Sequence, residues 1–221
     1  MSVTPPQLGR PIGADGEQTR ARIIDAAMRC VAEMGYSRTT IREIARAADM
    51  TSGSLYHYFP NKSELLDAAV EDIERIALPR LRAAAARGDD VVVRLTAVLD
   101  ESSEMMREHP HLAAFDRAVR AESNEHPVRG RPKYPGLKAL RDTITEIVGE
   151  ARALPPGTDP RAVADALHAL ARGLTERAAS LDADAYAATL ASAKALISGT
   201  LFARPANRPE STARRRSARD P

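Results

Sequence analysis

An all-α fold of about nine helices is what three features of this sequence predict. Apolar residues recur at intervals of three and four through the body of the chain, and nowhere in a sustained alternation of two. Prolines and glycines fall at spacings that bound helices rather than strands. Two capping-box spellings, Thr40 with Glu43 and Asn61 with Glu64, mark helix starts directly. With 221 residues, 43% of them hydrophobic and 28% charged, the chain has the bulk and composition of a folded globular protein.

Residues 1–17 carry Pro5, Pro6 and Pro11 with no apolar period and read as a flexible arm. Ile23, Ile24, Ala27, Val31 and Met34 form the stripe of a first helix, which Gly35 is suited to end. Cys30 lies beside that stripe and reads as a packed small thiol. Thr40 opens a short helix carrying Ile41, Ile44, Ala45 and Ala48, which ends near Asp49. Thr51 caps a second short helix to about Tyr58, with Leu55 and Phe59 inward. Asn61 then caps a long helix whose Leu65, Leu66, Ala69, Val70, Ile73 and Ile76 face inward, and which Pro79 should kink or end. Further helices are expected over 91–108, 111–124, 135–153, 160–180 and 183–202. The segment 203–221 sets six arginines and three prolines against two carboxylates and reads as a disordered basic tail.

Whole classes of protein drop out on charge and cysteine content. Thirty-two basic and thirty acidic side chains leave a net charge of +2, so any nucleic-acid site must be local. One cysteine excludes an internal disulfide and a four-cysteine zinc site. His109 and His111 flank Pro110, a turn that sends their rings apart, so no metal is expected. No run of about 18 apolar residues occurs and the first residues lack a signal peptide's apolar stretch, which predicts a cytoplasmic protein with no membrane partner. Gly-rich phosphate loops, nucleophile elbows and paired carboxylates are also missing, so neither a cofactor nor an enzymatic activity is expected.

The informative stretch is TTIREIARAADMTSGSLYHYFPNKSELL, which contains two short helices joined by a tight turn, the second exposing small polar groups. That is the sequence form of a DNA-reading helix-turn-helix. Tyr36, Tyr56, Tyr58 and Phe59, half of the eight aromatics in the chain, cluster here, which suggests a head with its own small core. Thr51, Ser52, Gly53 and Ser54 form the first turn of the second helix and, in that docking geometry, face base edges. Glycine inside a short helix costs close to 1 kcal/mol against alanine, which favours close backbone approach to DNA as the reason for Gly53. His57 can reach a base or phosphate, whereas Tyr58 and Phe59 are expected to pack between helices. Lys62 sits where an ammonium opposes the helix dipole but complements phosphate. Arg10, in the arm, is a minor-groove candidate, while Arg129-Gly130-Arg131-Pro132 reads as an exposed loop.

Residues 19–66 resemble the amino-terminal DNA-binding domain of TetR-family transcriptional regulators. The resemblance rests on Ala26-Ala27, Gly35-Tyr36, Thr39-Thr40, Ile44-Ala45, the Gly53–Phe59 run and Lys62 with Glu64-Leu65-Leu66. It implies a phosphate contact for Tyr56 and adds Thr40 and Arg42 as contacts to phosphate or groove. Asp49 replaces the family's usual turn glycine, and aspartate tolerates the left-handed conformation better than most residues. The remainder of the chain resembles the family only in length and helical character. The organisation expected is therefore an arm over 1–17, a helix-turn-helix head over 18–65, a ligand-binding and dimerisation domain over 66–202, and the tail.

Within that second domain, polar groups on otherwise apolar helices nominate a pocket: Met105, Met106, His109, Phe115, Asp116, His168, Arg172 and Thr175. His168 and Arg172 share a helix face at a spacing of four, where an anionic or hydrogen-bonding ligand could meet both. The last two helices carry Val163, Leu167, Leu170, Leu174, Tyr186, Leu190, Ile197 and Leu201, more apolar surface than a terminal hairpin needs. The resemblance implies a homodimer built from them. The function expected is a repressor that binds double-stranded DNA and leaves a palindromic operator when a small apolar or amphipathic effector binds. An architectural DNA-binding protein without effector, or a helical small-molecule-binding enzyme, remain open alternatives.

Overall fold

In a computed structural model, described over residues 12–125, 138–151 and 154–202, the chain forms nine α-helices and no strand among those residues. They are α1 (Ile12–Met34), α2 (Ile41–Ala47), α3 (Ser52–Tyr56), α4 (Lys62–Ala85), α5 (Val91–Glu108), α6 (Leu112–Glu125), α7 (Lys138–Gly149), α8 (Pro160–Ala178) and α9 (Ala183–Ile197). Arg10, the loop at 129–132 and the tail from 203 lie outside the described residues. Residues 12–17, expected in the arm, form the start of α1 instead.

Each of the first turns follows from local chemistry. Gly35, at φ 86°, ends α1 in the left-handed conformation that costs glycine nothing. Thr40 closes a full capping box: its hydroxyl accepts from the Glu43 amide while the Glu43 carboxylate accepts from the Thr40 amide. Asp49 adopts φ 54° in the turn between α2 and α3, so the departure from glycine is absorbed by a residue whose side chain tolerates that region. Thr51 and Asn61 then accept from the amides of Ser54 and Glu64 and cap α3 and α4.

Of the two outcomes expected at Pro79, a kink or an end, the end does not occur: α4 runs on to Ala85. A proline there deprives the Arg75 carbonyl of its usual donor. Packing beyond it offsets the loss, since Ala77, Leu81, Ala84 and Ala85 are buried and α4 lies against α5 and α7. Arg80 bonds Glu101 at 2.7 Å and pairs with Glu108, while Arg82 reaches Glu146 at 3.0 Å. The carboxylate of Glu74 on α4 also accepts from the backbone amides of Lys138 and Ala139, capping α7 from outside.

α4 is the spine on which the rest is arranged. It contacts α1, α5 and α7; α8 packs on α6 and α7, and α9 on α8 and α5. One continuous apolar core results, from Ile23 and Val31 through Leu55, Leu65 and Leu81 to Phe115, Ile147 and Leu174. Cys30 belongs to it, and burial pushes its thiol above the ordinary range. Of the aromatics expected in the head's core, Phe59 is buried and Tyr36 packs against it, but Tyr56 and Tyr58 are 52% and 38% exposed.

Candidate nucleic-acid interface

α2 and α3 meet at the Asp49 turn, leaving between them an open groove of about 510 Å³ lined by Thr40, Arg42, Glu43, Arg46, Thr51 and Ser52, among others. Leu55 is the one fully buried residue of α3, so this helix is held by a single apolar anchor and presents its other faces outward. Thr51, Gly53, Ser54, Tyr56 and His57 are exposed and Ser52 half-buried. The Thr51 and Ser54 hydroxyls lie 2.9 Å apart and bond each other, which fixes their rotamers and leaves donor and acceptor capacity facing out.

At Gly53, a Cβ would meet only the Thr51 hydroxyl oxygen, at 3.8 Å. Among the described residues no contact demands a glycine, and none explains its helix cost of about 1 kcal/mol. Thr40 is exposed, but its hydroxyl is occupied by the capping box, 2.8 Å from the Glu43 carboxylate. That hydrogen bonding holds the Glu43 carboxyl below its usual range, so the acid in the groove is ionised and locally satisfied. Arg42 is exposed and makes no ion pair among the described residues.

Within the chain Lys62 meets two electron-rich groups. Its ammonium donates to the Tyr36 carbonyl at 3.0 Å and lies 4.7 Å from the centre of the Tyr36 ring. Tyr58, expected to be packed, joins Tyr56 and His57 on the exposed side. Two contributors escaped the sequence reading. Arg46 lies one turn from Arg42 and lines the same groove, a spacing of four that could have nominated it. The guanidinium of Arg20 stacks 5.3 Å from the Phe59 ring and gave no signal beyond its charge.

The eight residues nominated for a ligand pocket separate into groups. Met105 and His109 line a cavity of about 130 Å³ between α1, α4 and the α5–α6 turn. Met106 is half-buried against the core, and Phe115 is fully buried within it. Asp116 is buried on α6 and pairs at 2.9 Å with Arg120, which also approaches Glu176 of α8 at 3.5 Å. On α8, Thr175 is buried and bonded to the Ala171 carbonyl, His168 is half-buried and Arg172 exposed. Burial, and then the charges of Arg141, Arg172 and Arg120, hold the His168 imidazole below its ordinary range. Among the described residues no group of three or more His, Cys, Asp or Glu could hold a metal, and no helix is long and apolar enough to cross a membrane.

Residues 23–69 match the family model described as bacterial regulatory proteins, tetR family. Over 166 residues the chain is 32% identical to the HTH-type transcriptional regulator BetI of Burkholderia thailandensis, covering 74% of this chain and 83% of that protein. The chain belongs to the TetR family. Like the relatives whose names carry that function, it is a DNA-binding transcriptional regulator. A further relative, the HTH-type transcriptional repressor KstR2 of Rhodococcus jostii, is 32% identical over 119 residues, 53% of this chain and 57% of that one. Among solved structures, FadR of Bacillus subtilis in complex with stearoyl-CoA matches in fold with a TM-score of 0.63, at 19% identity, over 81% of this chain and 98% of that one.

Proposed function

We propose that this regulator is a repressor that binds a near-palindromic operator as a homodimer and is released by a small apolar or amphipathic effector, acting by binding and without catalysis. The observation that carries the reading is the first turn of α3, where Thr51, Gly53 and Ser54 stand exposed on a helix anchored by Leu55 alone. Small hydroxyls and a bare backbone at a major-groove edge read bases at close approach. Arg42, Tyr56, His57 and Lys62 surround that turn as phosphate contacts, with Thr40 acting through the cap it gives α2.

Three exposed residues, Thr51, Gly53 and Ser54, read too little sequence for specificity, which favours two heads on two half-sites. α9 supplies the surface for that pairing: only Ala193 among its residues is fully buried, although the helix is dominated by apolar side chains. Leu196, Leu201 and Phe202 are 46%, 42% and 81% exposed. A four-helix contact of α8 and α9 from each subunit would cover them. The head over 18–65 and the effector-binding domain over 66–202 are then linked through α4, which belongs to both. Repression is favoured by the naming of KstR2, and an amphipathic effector by the stearoyl-CoA that FadR of Bacillus subtilis holds.

The deciding experiment is selection of genomic fragments with purified protein, followed by footprinting and sedimentation of the complex. The reading requires protection of two symmetric half-sites by two subunits; one short asymmetric site held by a monomer would overturn it.

A further inference from the structure

The cavity of about 130 Å³ where the head meets the body is distinct from the α2–α3 groove and from the Asp116–Arg120 cluster. Its walls are apolar, formed by Ile24 and Met28 of α1, Ile73 of α4 and Met105 of α5, and two carboxylates, Asp25 and Asp72, border it. A space of this size takes a compact molecule with a few carbons rather than a long acyl chain.

We propose that this cavity binds a small organic cation, with a short apolar body against Ile24, Met28, Ile73 and Met105 and an ammonium facing Asp25 and Asp72. Charge complementarity selects that occupant. Asp25 is exposed and makes no ion pair among the described residues. Asp72 shares only its Oδ1 with Arg75, at 2.8 Å, through an arginine that is itself 71% exposed. An anion of equal size would meet two carboxylates and no buried cation among the lining residues. A protonated amine gains both walls and rim. The imidazole of His109 lies at the same rim.

The position gives such binding a consequence, which rests on the repressor reading above. α1 is the first helix of the head, whereas Ile73 and Met105 belong to the body, so an occupant touches both sides of the joint. A second tie joins the same two parts, where the Ser37 hydroxyl donates to the Glu122 carboxylate of α6. Filling the cavity pins the joint and removes freedom that the heads need to seat on two half-sites, and operator affinity falls.

The probe is pentylammonium chloride at pH 7, with sodium pentanoate and 1-pentanol as comparators, read by methyl NMR of protein labelled at methionine. Pentylammonium is expected to shift the Met28 and Met105 methyl signals saturably while leaving Met50 unmoved, and pentanoate to shift none. Asp25→Asn weakens the titration by about two- to fivefold, the range of an exposed ion pair. Ala21→Phe, from an exposed position on the cavity wall, abolishes it, with an unchanged circular dichroism spectrum as the check on folding. Equal binding of pentanoate, or a titration indifferent to both Ala21→Phe and Asp25→Asn, overturns the site. With the selected operator, saturating pentylammonium is expected to lower affinity at least about fivefold; unchanged affinity despite Met28 and Met105 shifts overturns the coupling. Because the NMR titration uses no DNA, a failure of the repressor reading leaves the cavity result standing.

Discussion

Lys62 and Tyr36 form a clasp across the head: the ammonium at the start of α4 donates to the Tyr36 carbonyl at 3.0 Å and sits 4.7 Å from the centre of its ring. The clasp ties the α1–α2 turn to the helix that runs into the body. The remaining N–H donors of the ammonium are the ones the proposed phosphate contact would use.

Lys62→Ala is accordingly expected to act twice. Loss of the clasp costs about 0.5–1.5 kcal/mol of stability, the range of one hydrogen bond with a partly exposed cation–π contact. Loss of the phosphate contact weakens binding to all DNA sequences alike and lowers the salt slope by about 0.9 for each contact removed. Chemical denaturation and operator titrations between low and physiological salt separate the two. A destabilised protein with an unchanged salt slope would leave Lys62 a purely structural role.

Gly53→Ala should divide stability from function. A Cβ there meets only the Thr51 hydroxyl oxygen at 3.8 Å, an ordinary contact, so the head folds with up to about 1 kcal/mol more helix stability. Operator affinity should nevertheless fall, because the added methyl lies on the face offered to the groove. Ser54→Ala, in contrast, alters which sequence is preferred with little change in affinity for random DNA. Thermal melts beside a binding selection measure both; a Gly53→Ala protein that binds as tightly as wild type would remove close backbone approach from the mechanism.

The head was legible because its information is local. Thr40 with Glu43, Thr51, Asn61 with Glu64, Gly35 and Asp49 each act on amides or dihedrals within a few residues; Thr40 and Glu43 form the full reciprocal box, whereas the Glu64 carboxylate accepts from the Asn61 side-chain amide at 2.8 Å and not from its backbone. Tyr58 was misread since aromaticity predicts burial on average and says nothing about which side of α3 is covered. At Pro79 the end that the local rule allows does not occur, because burial of Leu81, Ala84 and Ala85 carries the helix past it. In the body the relevant pairings join distant residues, Glu74 with the amides at 138 and 139, Arg120 with Glu176, and α1 with Met105 across the cavity. A single sequence carries no periodic signal for contacts of that range.

His168 makes stability depend on pH in a stated direction. Its folded-state affinity for protons is lowered from the ordinary 6.5, first by burial and then by Arg141, Arg172 and Arg120. The unfolded chain therefore binds the proton more readily, and stability is lost as pH falls from about 6.5 towards the lower folded value. His168→Gln should flatten the denaturation midpoint across that window while leaving it unchanged at pH 8. A slope that survives the substitution would assign the effect to another group.

Pro79 offers the most direct test of α4 as the link between effector and head. The residue is exposed, and the helix continues past it to Ala85 with the Arg75 carbonyl deprived of its usual donor. Pro79→Ala restores that N–H and should raise the melting temperature, since the packing beyond the site is already in place. The same change stiffens the one helix shared by head and body. Shifting a population from mostly DNA-competent to mostly incompetent takes about 10⁴-fold differential affinity, so even a modest change in the stiffness of the link moves the effector concentration needed for release. Operator affinity without effector should change little, because α3 and its groove lie well before the substitution in the chain. Titrating labelled operator with both proteins, with and without an effector found by thermal-shift screening, measures the two quantities separately. Equal effector response in a stabilised Pro79→Ala protein would take this position out of the transmission path and turn the search to the tie between Ser37 of the α1–α2 turn and Glu122 of α6.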